Sequence, residues 1–181
     1  AASMMRWSSV HLCTDDQRIM EAAAAYGVPC LMTGREHPNG SSRVFEAARA
    51  LGVPDHAVVV NIQGDEPALD PAMLDALLQP FAEEAVVSST RACPIARAEA
   101  ALPDRVKVVR GVTGNALYFS RSPIPHEREG AAGESPYLLH VGIYAYRMRT
   151  LARYTALPPA PLEGLESLEQ LRLLENGIPM R

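Results

Sequence analysis

The sequence predicts an α/β protein, with a mostly parallel sheet carrying an antiparallel extension. Three observations lead there. In the first half of the chain, short β-branched runs alternate with amphipathic stretches at helical spacing, the pattern of a parallel sheet. In the second half, strand-like runs at residues 106–110, 116–119 and 139–146 follow one another with no helix between them, which adds antiparallel pairing. The apolar run Ala57-Val58-Val59-Val60 leads into Asn61-Ile62-Gln63-Gly64-Asp65-Glu66-Pro67, a buried strand whose tip carries carboxylates. Open α/β sheets bind ligands at that edge.

Taken in order, Val10-His11-Leu12-Cys13 reads as a strand and Thr14-Asp15-Asp16 as an N-cap cluster. The helix that follows, residues 17–26, stops at Gly27. Residues 28–32 form a second strand. His37-Pro38-Asn39-Gly40 is a turn, after which Ser41 or Ser42 caps a helix running to about residue 51 and stopping at Gly52. Residues 57–62 form the third strand, and residues 71–84 a helix with proline in its first turn. Further strands are predicted at residues 86–93, 106–110, 116–119 and 139–146, and a helix at 148–154. Beyond a proline-rich stretch, one helix is predicted over residues 162–175, with Leu162, Leu165, Leu168 and Leu171 recurring every three residues as its apolar stripe. The polar, glycine-rich residues 126–135 read as a mobile surface loop. There is no repeat and no sign of a second domain.

Composition narrows the function. An apolar content of 48% with 21% charged residues is that of an ordinary soluble domain. The net charge of −4 gives no electrostatic case for nucleic acid as the main partner. No apolar stretch reaches the roughly 20 residues needed to span a bilayer, and no signal peptide is evident. Cys13, Cys30 and Cys93 read as buried thiols of a reducing compartment, so the cytoplasm is expected. Basic residues comprise sixteen arginines and one lysine, Lys107. Zinc-type spacing, a Gly-x-Ser-x-Gly elbow, a Walker loop and the dinucleotide glycine fingerprint are all missing from the sequence.

Several side chains suggest chemistry. Asp65, at a strand tip beside a glycine, suits a hard-oxygen ligand for Mg2+ next to a substrate phosphate; with equal weight, Asp65 and Glu66 cap a turn. Arg121, at the end of Ala116-Leu117-Tyr118-Phe119-Ser120, could clamp a carboxylate or phosphate; a plain surface arginine is the commoner outcome. His140, Gly142, Tyr144 and Tyr146 share one face of a strand. That face either lines a ligand cavity or is hydrogen-bonded core, and core is the preferred reading for Tyr146. Glu163, Glu166, Glu169 and Gln170 flank the leucine stripe, where charge is usually just solvated.

In order along the chain, residues 33–44, 59–67, 106–109, 116–125, 140–147 and 167–172, with Pro161-Leu162-Glu163, resemble the CMP-Kdo synthetases, the 3-deoxy-manno-octulosonate (Kdo) cytidylyltransferases of Gram-negative bacteria. The resemblance implies a Rossmann-like sheet of the nucleotide-diphospho-sugar transferase type. It also implies a reaction in which the anomeric hydroxyl of Kdo attacks the α-phosphorus of CTP, giving CMP-Kdo and pyrophosphate for lipopolysaccharide synthesis. Mg2+ is the implied cofactor and Asp65 its ligand, with Asp65 and Arg121 as the catalytic pair. The implied Kdo pocket comprises Gln63, Arg121, His140, Tyr144, Glu169 and Gln170. Arg121 suits the sugar carboxylate, and Tyr144, Glu169 and Gln170 suit its hydroxyls. Asn39, Gly40, Ser41 and Arg43 correspond to the nucleotide-binding loop and helix start, where Ser42 replaces a usual glutamate. A homodimer is implied, using the region around residues 140–146 and its flanking loop.

Two departures from the family pattern accompany this resemblance. The family opens with a basic loop that wraps the triphosphate and closes with a second metal-binding aspartate in a Gly-Val-Asp-Thr-Pro segment. Neither reads in residues 1–181, so a single nucleotidyltransferase domain lacking both pieces is expected. The alternatives are a cytidylyltransferase for another sugar acid, such as a neuraminate, and a non-catalytic sugar-acid-binding or dimerisation remnant.

Overall fold

The computed structural model describes residues 9–64, 69–128 and 133–181. The chain starts with a parallel pair, β1 (Leu12–Thr14) and β2 (Cys30–Met32), joined through α1 (Gln17–Ala25). The Asp16 carboxylate caps α1 by accepting from Arg18 N at 2.8 Å. Helix α2 (Gly40–Ala50) follows, and its cap is Asn39, whose Oδ1 accepts from Ser42 N at 3.0 Å. The expected Ser41 or Ser42 cap is therefore corrected. Asn39 has the extended backbone that a cap requires, while Ser41 and Ser42 already lie inside the first turn.

The larger sheet is organised around β7 (Leu138–Arg147), and every pairing to it is antiparallel. β3 (Val58–Ile62) lies along one edge and β4 (Ser88–Pro94) along the other. β5 (Lys107–Arg110) meets the first edge further down, at Leu139, and pairs with β6 (Ala116–Ser120). This corrects the mostly parallel sheet. β3 and β4 are linked through helix α3 (Pro71–Leu78) and one 3-10 turn, Gln79–Ala82, and they do run parallel to each other. A strand from much later in the chain has been inserted between them, and local alternation cannot reveal that.

The two faces of β7 bury different layers, as the two-residue strand period demands. Ile143 and Ala145 pack with Leu77, Leu78, Phe81 and Val86. Tyr144 and Tyr146 pack on the other face with Leu151 and Tyr154 of α5 (Met148–Ala156) and with Leu168, Leu171 and Leu173. Ile143, Tyr144, Ala145 and Tyr146 are each no more than 3% exposed. Their side chains are thus interior to the chain.

The long C-terminal helix is replaced by two short ones, α6 (Pro161–Glu166) and α7 (Leu171–Glu175). Ser167 breaks them apart in the left-handed region, at φ 52°. Leucines spaced by three drift around a helix by about 60° per step, so Leu162 and Leu171 would face opposite sides of one straight rod. The break resolves the conflict: Leu165 is left 81% exposed, while Leu168 and Leu171 are buried.

One smaller expectation also changes. Cys93 is exposed, while Cys13 and Cys30 are half-buried, so the cysteines do not form a buried set. At residues 126–135, Arg97 of the one-turn helix α4 (Arg97–Ala100) clasps both described ends of the stretch. Its guanidinium pairs with Glu127 at 2.9 Å and donates to the Gly133 and Glu134 carbonyls at 3.0 and 3.1 Å. Residues 129–132 lie outside the described region.

Candidate active site

A cleft of about 950 Å3 opens beside β7, and its origin is a split in the sheet. On one edge, β3 covers β7 from Ile143 to Arg147, while β5 meets it at Leu139. Between these partners stand His140, Val141 and Gly142, all of which line the cleft. The ends of β3 (Ile62, Gln63, Gly64), the residues before β5 (Asp104, Arg105, Val106), Arg121 and the α6–α7 break (residues 167–170) complete its wall. Of the expected site residues, Asn39, Gly40, Arg43, Gln63, Arg121, His140, Tyr144, Glu169 and Gln170 all converge here. Ser41 sits behind the wall, fully buried, with its Oγ 3.4 Å from Asn61 Nδ2. Asp65 lies outside the described residues.

Glu169 anchors the polar centre. Gln63 Nε2 donates to its Oε1 at 3.3 Å, and Tyr154 OH donates to its Oε2 at 3.5 Å. Tyr154 OH in turn accepts from Asn39 Nδ2 at 2.9 Å, so the cap of α2 reaches the same carboxylate through one phenol. Burial pushes the Glu169 carboxyl above its ordinary range, and hydrogen bonds from Ser41 and Tyr154 oppose this. Next to it, Gln170 Oε1 accepts from Tyr144 OH at 3.4 Å. Gln170 Nε2 is buried and has no hydrogen-bond partner among the described residues. A donor left unpaired in this way costs about 1–3 kcal/mol, which a ligand oxygen in the cleft would recover.

His140 stacks edge-on to Phe119 at 5.0 Å and lies 5.4 Å from Tyr144. Its Nε2 is 3.0 Å from Thr90 Oγ1. Burial lowers its pKa from 6.5 to about 4, so the ring is neutral near pH 7. Tyr146 is fully buried with its hydroxyl 3.5 Å from Ser41 Oγ, the core role preferred for it.

The Arg121 guanidinium spans from the end of β6 to the end of α6. It donates to the carbonyls of Glu166 (2.8 Å), Pro103 (3.2 Å) and Ser167 (3.3 Å). The Glu166 carboxylate accepts from Arg121 N and Ser120 Oγ, at 2.9 and 2.5 Å. With one of five donors spent on each carbonyl, two guanidinium hydrogens remain for a ligand anion. Beneath it, Lys107 is fully buried and donates to the Arg121 and Leu102 carbonyls at 2.5 and 3.0 Å. The lone lysine is therefore a buried prop for the arginine, and burial lowers its pKa.

Arg43 is committed in a way its sequence position did not reveal. Its Nη1 donates to Thr33 Oγ1 (2.7 Å) and the Gly34 carbonyl (3.1 Å), and its Nη2 pairs with Asp15 at 3.0 Å. It thus ties α2 to the tips of β1 and β2 while lining the cleft. His37 pairs with Glu46, whose carboxylate also accepts from Gly34 N, so the loop before α2 is fastened at a second point.

Sequence reasoning missed Asn61, Thr90 and Tyr154. Asn61, only 2% exposed, interrupts an otherwise β-branched run, and that interruption was a usable signal. Thr90 in a strand is ordinary and carried none. Among the described residues no three His, Cys, Asp or Glu side chains group to hold a metal. The Mg2+ expectation therefore turns on Asp65, with Gln63 and Gly64 placing the start of its segment on the cleft wall. Magnesium normally takes one or two carboxylates and completes its shell with phosphates and water, so one aspartate is enough protein ligand for it.

An α/β scaffold with a polar cleft at its strand tips, furnished with carboxylate, amide and arginine groups, has the layout of a nucleotidyltransferase. A family model described as Cytidylyltransferase matches residues 2–180, and the chain belongs to that family. It is 58% identical over 177 residues to the 3-deoxy-manno-octulosonate cytidylyltransferase of Nitratidesulfovibrio vulgaris strain Hildenborough, covering 97% of this chain and 70% of the relative. The enzyme of that name from Oleidesulfovibrio alaskensis is 56% identical over 173 residues, covering 95% and 69%. Among solved structures, a CMP:2-keto-3-deoxy-manno-octonic acid synthetase complexed with CTP superposes with a TM-score of 0.89 at 42% identity, covering 96% of this chain and 70% of that one. Among the described residues, no helix is long and apolar enough to cross a membrane.

Proposed function

We propose that this protein transfers a cytidylyl group from CTP to Kdo. The anomeric hydroxyl oxygen bonds to the α-phosphorus and gives up its proton to solvent, the bond from that phosphorus to the bridging oxygen breaks, and pyrophosphate leaves. The observation that carries this reading is the convergence of Gln63, Arg121, His140, Tyr144, Glu169 and Gln170 on one cleft, in a chain 58% identical to a Kdo cytidylyltransferase. We assign the two free donors of Arg121 to the sugar carboxylate, a pairing that favours two parallel hydrogen bonds. Glu169 accepts from sugar hydroxyls, and the unpaired Gln170 Nε2 donates to a sugar oxygen. Asn39 and Gly40, at the start of α2, border the nucleotide, where a helix N-terminus favours phosphate.

Mg2+ is part of the proposal, with Asp65 as its protein ligand. When bound it would neutralise phosphate charge as a Lewis acid. The protein's own groups hold the sugar acid at the attacking angle, which is where positioning lowers the barrier. The fold is read as the nucleotide-diphospho-sugar transferase type, and a cytoplasmic homodimer acting in lipopolysaccharide synthesis is the context inferred from the relatives.

A pyrophosphate-release assay with CTP, MgCl2 and a panel of sugar acids tests the function. Release with Kdo and not with a neuraminate is expected. Preference for the neuraminate would replace the substrate, and Kdo binding without release would make the chain a binding module. Light scattering at micromolar concentration reports the oligomeric state.

A further inference from the structure

We propose that Thr90 is a positioning residue that sets the tautomer of His140, holding a hydrogen on Nε2 and presenting Nδ1 to the cleft as an acceptor for a sugar hydroxyl. This extends the function proposed above and rests on it for the identity of the ligand.

The geometry starts from an irregularity in the β4–β7 pairing. Thr90 lies opposite Tyr144, whereas Arg91 lies opposite Val141, so β7 carries Gly142 and Ile143 as extra residues at that point. Bulges of this kind leave backbone groups without ladder partners. The Thr90 hydroxyl answers two of them, lying 2.8 Å from the Ile143 carbonyl and 3.3 Å from the Val141 carbonyl. A hydroxyl has one proton to donate. Carbonyl oxygens can only accept, so the proton goes to the shorter contact, Ile143.

His140 Nε2, 3.0 Å away, then meets the Thr90 oxygen as an acceptor, and it must carry the hydrogen of that contact. A neutral imidazole has a single N–H, so Nδ1 keeps its lone pair. No hydrogen bond to Nδ1 is found among the described residues, and His140 lines the cleft. The ring cannot turn freely to exchange the two nitrogens. Phe119 packs edge-on at 5.0 Å and Tyr144 lies at 5.4 Å. Desolvation, which lowers the pKa of the ring, agrees with a neutral imidazole.

The consequence is chemical selectivity. A lone pair at Nδ1 accepts from a hydroxyl and repels a carboxylate, so His140 reads a sugar hydroxyl and leaves the sugar acid group to Arg121. Without Thr90, nothing would fix the hydrogen on Nε2, and part of the ring population would present a donor to the cleft.

The test is 15N NMR of the whole chain labelled at histidine, combined with calorimetric titration of Kdo. The wild-type His140 is expected to show a protonated Nε2 and an unprotonated Nδ1. Thr90→Val, of similar shape without the hydroxyl, should give mixed tautomers and weaken Kdo binding about tenfold, the loss of roughly one hydrogen bond. Thr90→Ser should restore both readouts. A wild-type spectrum with the hydrogen on Nδ1 overturns the proposal, and that spectrum decides the point even if Thr90→Val fails to fold. A folded Thr90→Val with unchanged tautomer and affinity overturns it equally. If wild type shows the expected tautomer but binds no Kdo, the substrate assignment fails while the role of Thr90 stands.

Discussion

Gln63 and Glu169 meet across the cleft at 3.3 Å, although 106 residues separate them along the chain. One stands at the end of a buried strand, and the other at the break between two short helices. Their contact closes the polar centre of the site and joins the strand tip to the C-terminal layer.

Glu169→Gln should separate stability from activity. Burial raises the Glu169 pKa above its ordinary 4.5. The neutral acid is therefore the form that the fold prefers. The stabilising contribution is complete below pH 4.5 and is lost as pH rises through the folded value. A neutral amide avoids that loss, so the variant should melt no lower than wild type at pH 8. The Michaelis constant for Kdo should nevertheless rise about 10- to 100-fold, because the amide presents one acceptor oxygen to the sugar hydroxyls where the carboxyl group presents two. Calorimetric melting beside a pyrophosphate-release assay checks both halves.

Arg121→Lys should not be conservative. An ammonium cannot reproduce the planar fork that reaches the carbonyls of Glu166, Pro103 and Ser167 while leaving two hydrogens for a carboxylate. The Michaelis constant for Kdo should increase at least about tenfold, with that for CTP changed little. Steady-state kinetics with each substrate varied separately distinguishes the two.

His140 predicts an acid limb in stability. The unfolded ring takes up a proton as pH falls through 6.5, while the folded ring resists until about 4. Its contribution is thus whole above pH 6.5 and is lost progressively between pH 6.5 and 4. Between pH 7 and pH 4.5, wild type should lose about 2–3 kcal/mol more than His140→Gln. Urea denaturation at the two pH values measures the difference, and parallel losses would count against a buried neutral ring.

Asp65→Asn should reduce turnover at least about a hundredfold while leaving the melting temperature within a few degrees. An amide is a poor magnesium ligand, and the substitution keeps the shape of the side chain. Pyrophosphate release across a range of MgCl2 concentrations is the measurement. Recovery of full rate at high MgCl2 would point to weakened affinity, and an unchanged rate at all concentrations would place the metal elsewhere.

Much of the local structure was legible because local rules govern it. The run Val58-Val59-Val60 and the period-two pattern of His140, Gly142, Tyr144 and Tyr146 became strands with the expected faces. Helix α1 begins beside its acidic cap cluster and α3 begins at its proline. The break at Ser167 was not legible. A strict three-residue leucine spacing looks amphipathic over any short window, and only the need to bury Leu168 and Leu171 together with Leu173 exposes its drift.

Collinear motifs in the chain were enough to nominate the reaction class and nine of the residues that the cleft brings together. Side-chain chemistry and short-range backbone preference are written residue by residue. Three things required the folded molecule: the insertion of β7 between β3 and β4, the gap in its edge that opens the cleft, and the commitment of Arg43 and Lys107 to internal partners. Each depends on contacts between segments far apart in the chain. Such contacts are selected by the joint burial of whole layers and the pairing of every backbone group, not by the preference of any single segment.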